Sequence, residues 1–445
     1  MNQPVKLPPG PRGRLRCAMR MAKQPIVAVR EWRARHGDTF RVPVFPRDFV
    51  VTCEPELVRQ IHGNRDPGLF AAGVRETVDP LFGARSLLRL ADEAHNRERK
   101  LMMPPFHGER MRGWARTMAD AGRRAFAVGE AQVRAIDCTR RATLEVILRV
   151  IFGVDEDARV AAFADAIERW ADALHPLFIF IPPLARDYGG LSRYARYRKH
   201  SERVDAMLYE QIAAIRSAPT PAADVLSMLV HARYDDGSGM DDLSLRDNLR
   251  TLLFAGHDTT ALILAWALWF VHRNKPVLDR LRDELDALGP EVDPDELTRI
   301  PYLEAVIDET LRIRPINSET MRPLAKPWTL GPWQLPAGTI VAISLVLLHS
   351  DERHWDRPEQ FEPERFLGSH PSPSVYVPFG GGNRRCLGAT FARYEAAIVL
   401  GTLLREFEFE LLDEQVEWNR GKLILEPIGG VNLRVRPRGR LRAAA

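Results

Sequence analysis

The 445-residue chain carries 63 basic against 59 acidic residues, a net charge of +4, with 45% hydrophobic and 27% charged residues. This composition excludes a disordered or fibrous chain and leaves enough apolar sequence for a large buried core, while so small a charge makes no case for a nucleic-acid partner. The four cysteines (Cys17, Cys53, Cys138, Cys386) are far apart and form no CxxC or Cys/His zinc spacing, which excludes a disulfide framework and a structural zinc and predicts a cytoplasmic protein.

The start is basic (Lys6, Arg12, Arg14, Arg16) but has no uninterrupted apolar segment, so neither a signal peptide nor a membrane anchor is predicted. Residues 7–11 (LPPGP) form a stiff entry, and FRVPVF (40–45) and DFVVTC (48–53) read as strands, giving a mixed, β-rich part over 1–90. From 91 to 315 helical spacing dominates, interrupted at PLFIFIPPL (176–184) and SAPTPAAD (217–224), where proline ends helices. A long helix is predicted over about 244–271, opened by a capping box of Ser244 and Asp247. Its apolar residues lie all round, so it either crosses a membrane or is buried in a large protein. The polar run Gly256, His257, Asp258, Thr259, Thr260 at its middle favours burial, because such a cluster is costly in lipid.

The part from 316 to 445 reads as strands around 326–348, a turn-rich stretch, the loop FGGGNRRCLG (379–388), a helix from about Cys386 to Arg405 and C-terminal strands. The end, RVRPRGRLRAAA, reads as a last strand and a solvated tail. The expected fold is mainly α with a small β region, in one domain over 1–445.

The glycine loop raises the question of what Cys386 does. A phosphate loop would need GxxxxGK[ST], and a nucleophilic cysteine would want a histidine base that local sequence does not supply. A thiolate metal ligand explains more. The loop runs into a helix start, whose N–H groups and dipole stabilise a sulfur anion, and glycines let backbone approach a flat cofactor. One cysteine with no companion ligand points to a cofactor that fills the other positions, as haem does.

Phe379, Gly382, Arg384, Cys386 and Gly388 match the FxxGxRxCxG loop of the cytochrome P-450 monooxygenases, and the chain resembles that family along nearly its whole length. HNRER (95–99), AGHDTT (255–260), ETLR (309–312) and PERF (363–366) follow in the family's order. The resemblance implies haem b (iron protoporphyrin IX) held between the long central helix and the cysteine-loop helix, with Cys386 as axial ligand. It implies that His95, Arg99, Arg322 and Arg384 bind the propionates. Ala255, Gly256, Phe379 and Gly380 would border the cofactor, the small pair leaving room for dioxygen.

Glu309, Arg312 and Arg365 would form a buried structural triad. Asp258 and Thr259 would relay protons to dioxygen, and His257 takes no role. Electrons would come from a separate ferredoxin or flavodoxin with its reductase, since only 59 residues follow Cys386. Arg97, Lys100, Arg112, Arg385 and Arg393 would attract that donor. By family position a small apolar substrate meets Phe82, Leu87, Phe178, Phe180, Leu253, Ile316 and Ile428, with Asn317 and Ser318 as polar exceptions. Arg384 where many bacterial members carry histidine, with PERF and LPAGT (335–339), resembles lineages closer to the eukaryotic enzymes, which often oxidise terpenoids, steroids or fatty acids, and a terpenoid or steroid is the expected substrate. A fatty-acid hydroxylase or peroxygenase is the runner-up, with Arg75, Arg85 and Arg89 as cations for a carboxylate, and a haem sensor ranks well below.

Overall fold

The computed structural model describes residues 6–72, 79–174, 187, 189–190, 192–220, 222–418 and 424–439. Phe178, Phe180 and Arg75 lie outside them. The described residues are mainly helical, with nine short strands among them: β1 (Thr39–Pro43), β2 (Asp48–Thr52), β3 (Ala131–Arg134), β4 (Glu319–Pro323), β5 (Trp328–Leu330), β6 (Trp333–Leu335), β7 (Ile340–Ser344), β8 (Phe407–Leu411) and β9 (Asn432–Pro437). Two compact units share it, one of Met1–Gly73, Gly122–Thr139 and Thr259–Ala445, the other of Val74–Ala121 and Arg140–Asp258.

The first unit is built on a four-stranded sheet in the order β1-β2-β7-β4. β1 and β2 form an antiparallel hairpin, β2 pairs with β7 in parallel from Phe49 opposite Ile340, and β4 closes the edge antiparallel to β7 with Arg322 opposite Val341. Runs of Val, Ile and Phe in β1, β2 and β7 make this possible, because such side chains fill the pleated surface. Phe40, Val50, Val51, Val341 and Ile343 are buried in one cluster with Trp32 and Leu57. The strand expectation runs too far at its end: after Ser344 the residues Leu345–Leu348 turn into a short helix. An unbroken apolar run does not distinguish strand from buried helix by period alone.

β3 is a second departure, since it falls inside the stretch expected to be helical. It pairs with β9 at the edge of the β3-β9-β8 sheet, and AQVR is too short to show a period. The central helix spans Asp242–Arg273. Its start corrects the predicted capping box: Asp241 accepts the Ser244 N–H at 2.8 Å, while Asp247 accepts the Arg85 N–H at 2.9 Å. The helix is long and apolar enough to cross a membrane, yet 61% of its most apolar window is buried inside the protein. From Thr260 to Val271 every residue is buried.

In the first unit the Pro301–Ile313 helix carries the ETLR motif into the core. Both partners of its ion pair have fully buried side chains. Arg312 donates Nε to Glu309 at 2.6 Å and Nη2 at 2.8 Å, and its remaining donors reach the carbonyls of His349, Pro358 and Gln360. Arg365 of PERF adds a bond to Glu309 at 3.1 Å, and the Glu362 N–H adds another at 2.9 Å. Removing one partner of such a buried set strands charge and carbonyls at a cost of about 3–5 kcal/mol. Arg312→Met should therefore lower the unfolding free energy by that order, read by denaturant melts, and a change below about 1 kcal/mol would show that the set is dispensable.

Candidate functional site

The loop before Cys386 explains its own glycines. Gly380 and Gly382 have φ of 65° and 64°, a region only glycine enters cheaply. Gly381 needs space instead: a Cβ there would sit 2.3 Å from Nδ1 of His62, at the end of the Pro55–Gly63 helix. The Cys386 N–H closes the loop on the Phe379 carbonyl at 2.9 Å. The following helix starts at Ala389, three residues later than predicted, because residues 385–388 complete the turn. Cys386 is exposed and in no disulfide, while Cys17, Cys53 and Cys138 are buried.

The stretch ahead of the loop is moored by groups the sequence reading missed. Nε2 of His349 accepts the Val377 N–H at 3.1 Å, and burial beside Arg312 pushes this imidazole down to about 3, so it stays neutral. The Tyr376 hydroxyl bonds Asp308, which pairs with Arg393 at 2.7 Å, and the Arg393 guanidinium lies 5.4 Å from the Phe379 ring centre.

Arg322, on β4, reaches the Gly381 carbonyl at 3.4 Å. Burial pushes its guanidinium down to about 10, and the charge that adds to the shift is another cation, Arg384. A desolvated guanidinium beside a second one is a strained arrangement that carboxylates would relieve. His62, next to Arg322, is pushed down to about 4 by burial, and its Nε2 is buried without a partner. An exposed thiol on a glycine loop, with paired cations at its flank, suits a flat metal cofactor that carries two carboxylates. These residues fit haem.

In the second unit, His95 and Arg99 lie on the Asp92–Met102 helix, four residues apart, with His95 buried. The other cations of that helix are engaged elsewhere: Arg97 pairs with Asp236 at 2.6 Å and Lys100 with Asp235 at 2.8 Å. Arg112 pairs with Glu109, so with Arg393 four of the five cations expected to attract an electron donor already have acidic partners.

Along the central helix, Ala255 is exposed and its neighbours from Phe254 to Thr259 are half-buried, with Leu253 buried before them and Thr260 to Val271 buried after. This gap in the packing is where AGHDTT falls. Gly256 uses its missing side chain for packing, since a Cβ would lie 3.0 Å from Ile147. Asp258 accepts from Arg140 Nε at 2.6 Å. His257 meets the Arg140 carbonyl at 3.0 Å through Nε2, and burial lowers its pKa, so it docks the helix as a neutral ring. Arg140 has no motif of its own to mark it. Leu253 is buried and turned into the core, whereas Phe254, one residue on, stacks edge-on with Phe82 at 5.6 Å. Leu87 and Ile316 are also buried, while Ile428 is 52% exposed. Asn317 is exposed and bridges Ile424, and the Ser318 carbonyl accepts the Leu345 N–H.

Glu395 on the Ala389–Glu406 helix, near Thr260, holds its Oε1 buried without a partner. Glu395 is 1% exposed, and burial pushes its carboxyl well above its ordinary value of 4.5. The folded chain therefore holds a proton that the unfolded chain releases above pH about 4.5, so this group's contribution to stability falls as pH rises. Glu395→Gln keeps the acceptor and removes the titration. Melts across pH 4–8 should show a gain that grows with pH, by up to about 1.4 kcal/mol per unit while Glu395 stays protonated, and vanishes near pH 4. A constant offset would mean that Glu395 is ionised in the fold.

A family model for Cytochrome P450 matches residues 8–433. Putative cytochrome P450 135B1 of Mycobacterium tuberculosis and Mycobacterium bovis is 36% identical over 448 positions, covering 97% of this chain and 91% of that protein. Putative cytochrome P450 138 of Mycobacterium tuberculosis is 32% identical and covers 87% of this chain and 86% of its own. Among solved structures, the retinoic acid bound cyanobacterial CYP120A1 superposes with a TM-score of 0.83 at 23% identity, covering 98% of this chain and all of that one. The cytochrome P450DA heme domain gives 0.85 at 21% identity over the full length of both chains.

Proposed function

The chain belongs to the cytochrome P450 family and is a haem monooxygenase, and from that premise we propose that it binds haem b in the cytoplasm and hydroxylates a compact apolar molecule, a terpenoid or a steroid. A ferredoxin or flavodoxin with its reductase supplies two electrons. The observation that carries this reading is the exposed Cys386 thiol on its glycine loop, set against three buried cysteines.

Haem, when bound, supplies electron transfer and dioxygen activation. The chain's residues hold and steer it. Cys386 would hold the haem iron as a thiolate, its charge favoured by the N–H groups at the helix start beyond the loop. Arg322 and Arg384 are assigned to propionates, where the desolvation of Arg322 makes a carboxylate partner worth more than at a wet surface. His95 and Arg99 receive the same task from the family motif alone. The Asp258 carboxylate rests on Arg140, so passing a proton towards Thr259 requires that pair to loosen. The Thr259 hydroxyl is the proposed last donor.

Substrate choice is supported by charge. Arg85 pairs with Asp241 and Arg89 with Asp79, so neither stands ready for a fatty-acid carboxylate. CYP120A1 holds retinoic acid, whose skeleton is isoprenoid, and this fold accommodates such a body.

Reduced, CO-bound protein should show the strongly red-shifted Soret band of thiolate haem, and Cys386→His should abolish it. Retention of the band in the variant would sink the assignment. Thr259→Ala should bind haem and substrate normally yet misdirect protons. The expected signature is continued nucleotide consumption with product falling by roughly tenfold or more and hydrogen peroxide rising to match, in line with the loss of one positioned proton donor. Unchanged coupling would move the proton delivery to another group.

A further inference from the structure

Two arginines at the end of one helix are satisfied very differently. Arg312 is buried with its donors on Glu309 and on the carbonyls of His349, Pro358 and Gln360. Arg314, two residues on, is half-buried and has no such set. Among the described residues its N–H donors reach the Ile313 carbonyl at 3.0 Å and nothing else, and Nε is buried without a partner. The guanidinium lies over three rings instead, 4.1 Å from the centre of Trp418, 5.2 Å from Trp266 and 5.3 Å from Phe270. Rings attract its charge but offer its N–H edge no acceptor.

The charges around Arg314 do not make up the lack. Of those that bear most on it, Arg30, Arg312 and Arg273 are cations and Glu359 is an acid. The Glu359 side chain is 74% exposed and faces Arg30 at 3.5 Å, so it is too wet to neutralise a desolvated cation. Burial, with those cations beside it, pushes Arg314 down to about 9.

Arg314 lines a cavity of about 600 Å³ within the first unit, together with Trp269, Phe270 and Arg273 at the end of the central helix and with Phe361. Phe270 and Phe361 stack face to face at 4.6 Å, and Trp269 meets Phe270 edge-on at 4.8 Å, which makes one wall aromatic. Arg273 is exposed, lies 5.1 Å over the Trp269 ring and donates to the Glu414 carbonyl. Glu362, the second acid of the lining, is held by Arg357 and Arg365 at 3.0 Å each.

We propose that this cavity binds a flat aromatic carboxylate, with its carboxylate on Arg314 and Arg273 and its rings against the wall of Phe270 and Phe361. A cavity of this size suits a small organic molecule. The carboxylate matches the planar fork of a guanidinium and supplies the acceptor that Arg314 lacks. Two acids in the lining disfavour a more highly charged anion. None of the residues assigned to haem, dioxygen or substrate lines this cavity, so the site stands apart from the monooxygenase chemistry.

The test uses the haem-loaded ferric protein with 2-naphthoate and its neutral isostere 2-naphthamide, read by calorimetry and by the Soret band. Naphthoate should bind about tenfold more tightly than naphthamide, the scale of one charge-assisted hydrogen bond, and should leave the Soret band in place. Arg314→Gln should erase that preference. Arg273→Glu changes an exposed side chain and should weaken naphthoate by about threefold or more while leaving naphthamide unchanged. Melting curves and the CO spectrum establish that the variants are folded, and should Arg314→Gln fail to fold, Arg273→Glu decides. No calorimetric binding of naphthoate, equal affinity for the two probes, or naphthoate affinity unchanged in both variants would overturn the site. A Soret shift by naphthoate that persists in both variants would put the ligand at the haem and overturn it as well.

Discussion

The carboxylate of Glu309 is the fixed point of the first unit. It is fully buried, yet it accepts from Arg312, Arg365 and the Glu362 N–H, so its charge is spread over three donors. Buried ion pairs often contribute little net stability, because desolvation offsets attraction. Their value here is positional. Arg312 ties the Pro301–Ile313 helix to the carbonyls of His349, Pro358 and Gln360, and His349 in turn receives Val377, two residues before the cysteine loop begins. A chain of directional bonds thus runs from a helix in the core to the backbone that presents Cys386. Replacing it with apolar packing would hold the same elements together but leave the loop's position less defined.

Around the loop, sterics take over from charge. Gly381 and Gly382 lie so close to His62 that any side chain would collide with its ring or its carbonyl. The loop is therefore clamped between the mooring at Val377 and the end of the Pro55–Gly63 helix, and the Cys386 thiol is left on its open side. A site that must receive a rigid, flat group benefits from such clamping, since little ordering is left to be done when the group binds.

The parts of this site legible in the sequence are those whose geometry is local. Glu309 and Arg312 are one helical turn apart, His95 and Arg99 likewise, and the loop glycines precede their cysteine at fixed spacing. What was not legible depends on residues brought together from far along the chain. Arg140 meets Asp258 across 118 positions, and His62 meets Gly381 from an unrelated helix. Period also misled where it had too few residues to act on, as in the four-residue β3, and where an apolar run continued past Ser344 into a helix. The capping box went astray for a related reason: Asp241, one residue before the helix, competes better for its N–H groups than Ser244 within it.

Charge and apolar lining act differently on a ligand. A greasy cavity discriminates poorly among ligands, since each methylene is worth only about 1–3 kcal/mol and a polar group can often be tolerated. An unneutralised carboxyl acts differently, because its cost is present in every complex that leaves it unpaired. Glu319 imposes that cost on β4, while Arg322, three residues further on and turned to the opposite face, imposes the converse demand for an anion. One edge strand therefore presents an acid on one face and a base on the other. Because successive side chains of a strand alternate, the two demands are kept apart by the sheet itself, and a single-residue shift in register between β4 and β7 would exchange them. The register that sets Arg322 opposite Val341 and Glu319 opposite Ser344 is thus what keeps the two charges on separate faces.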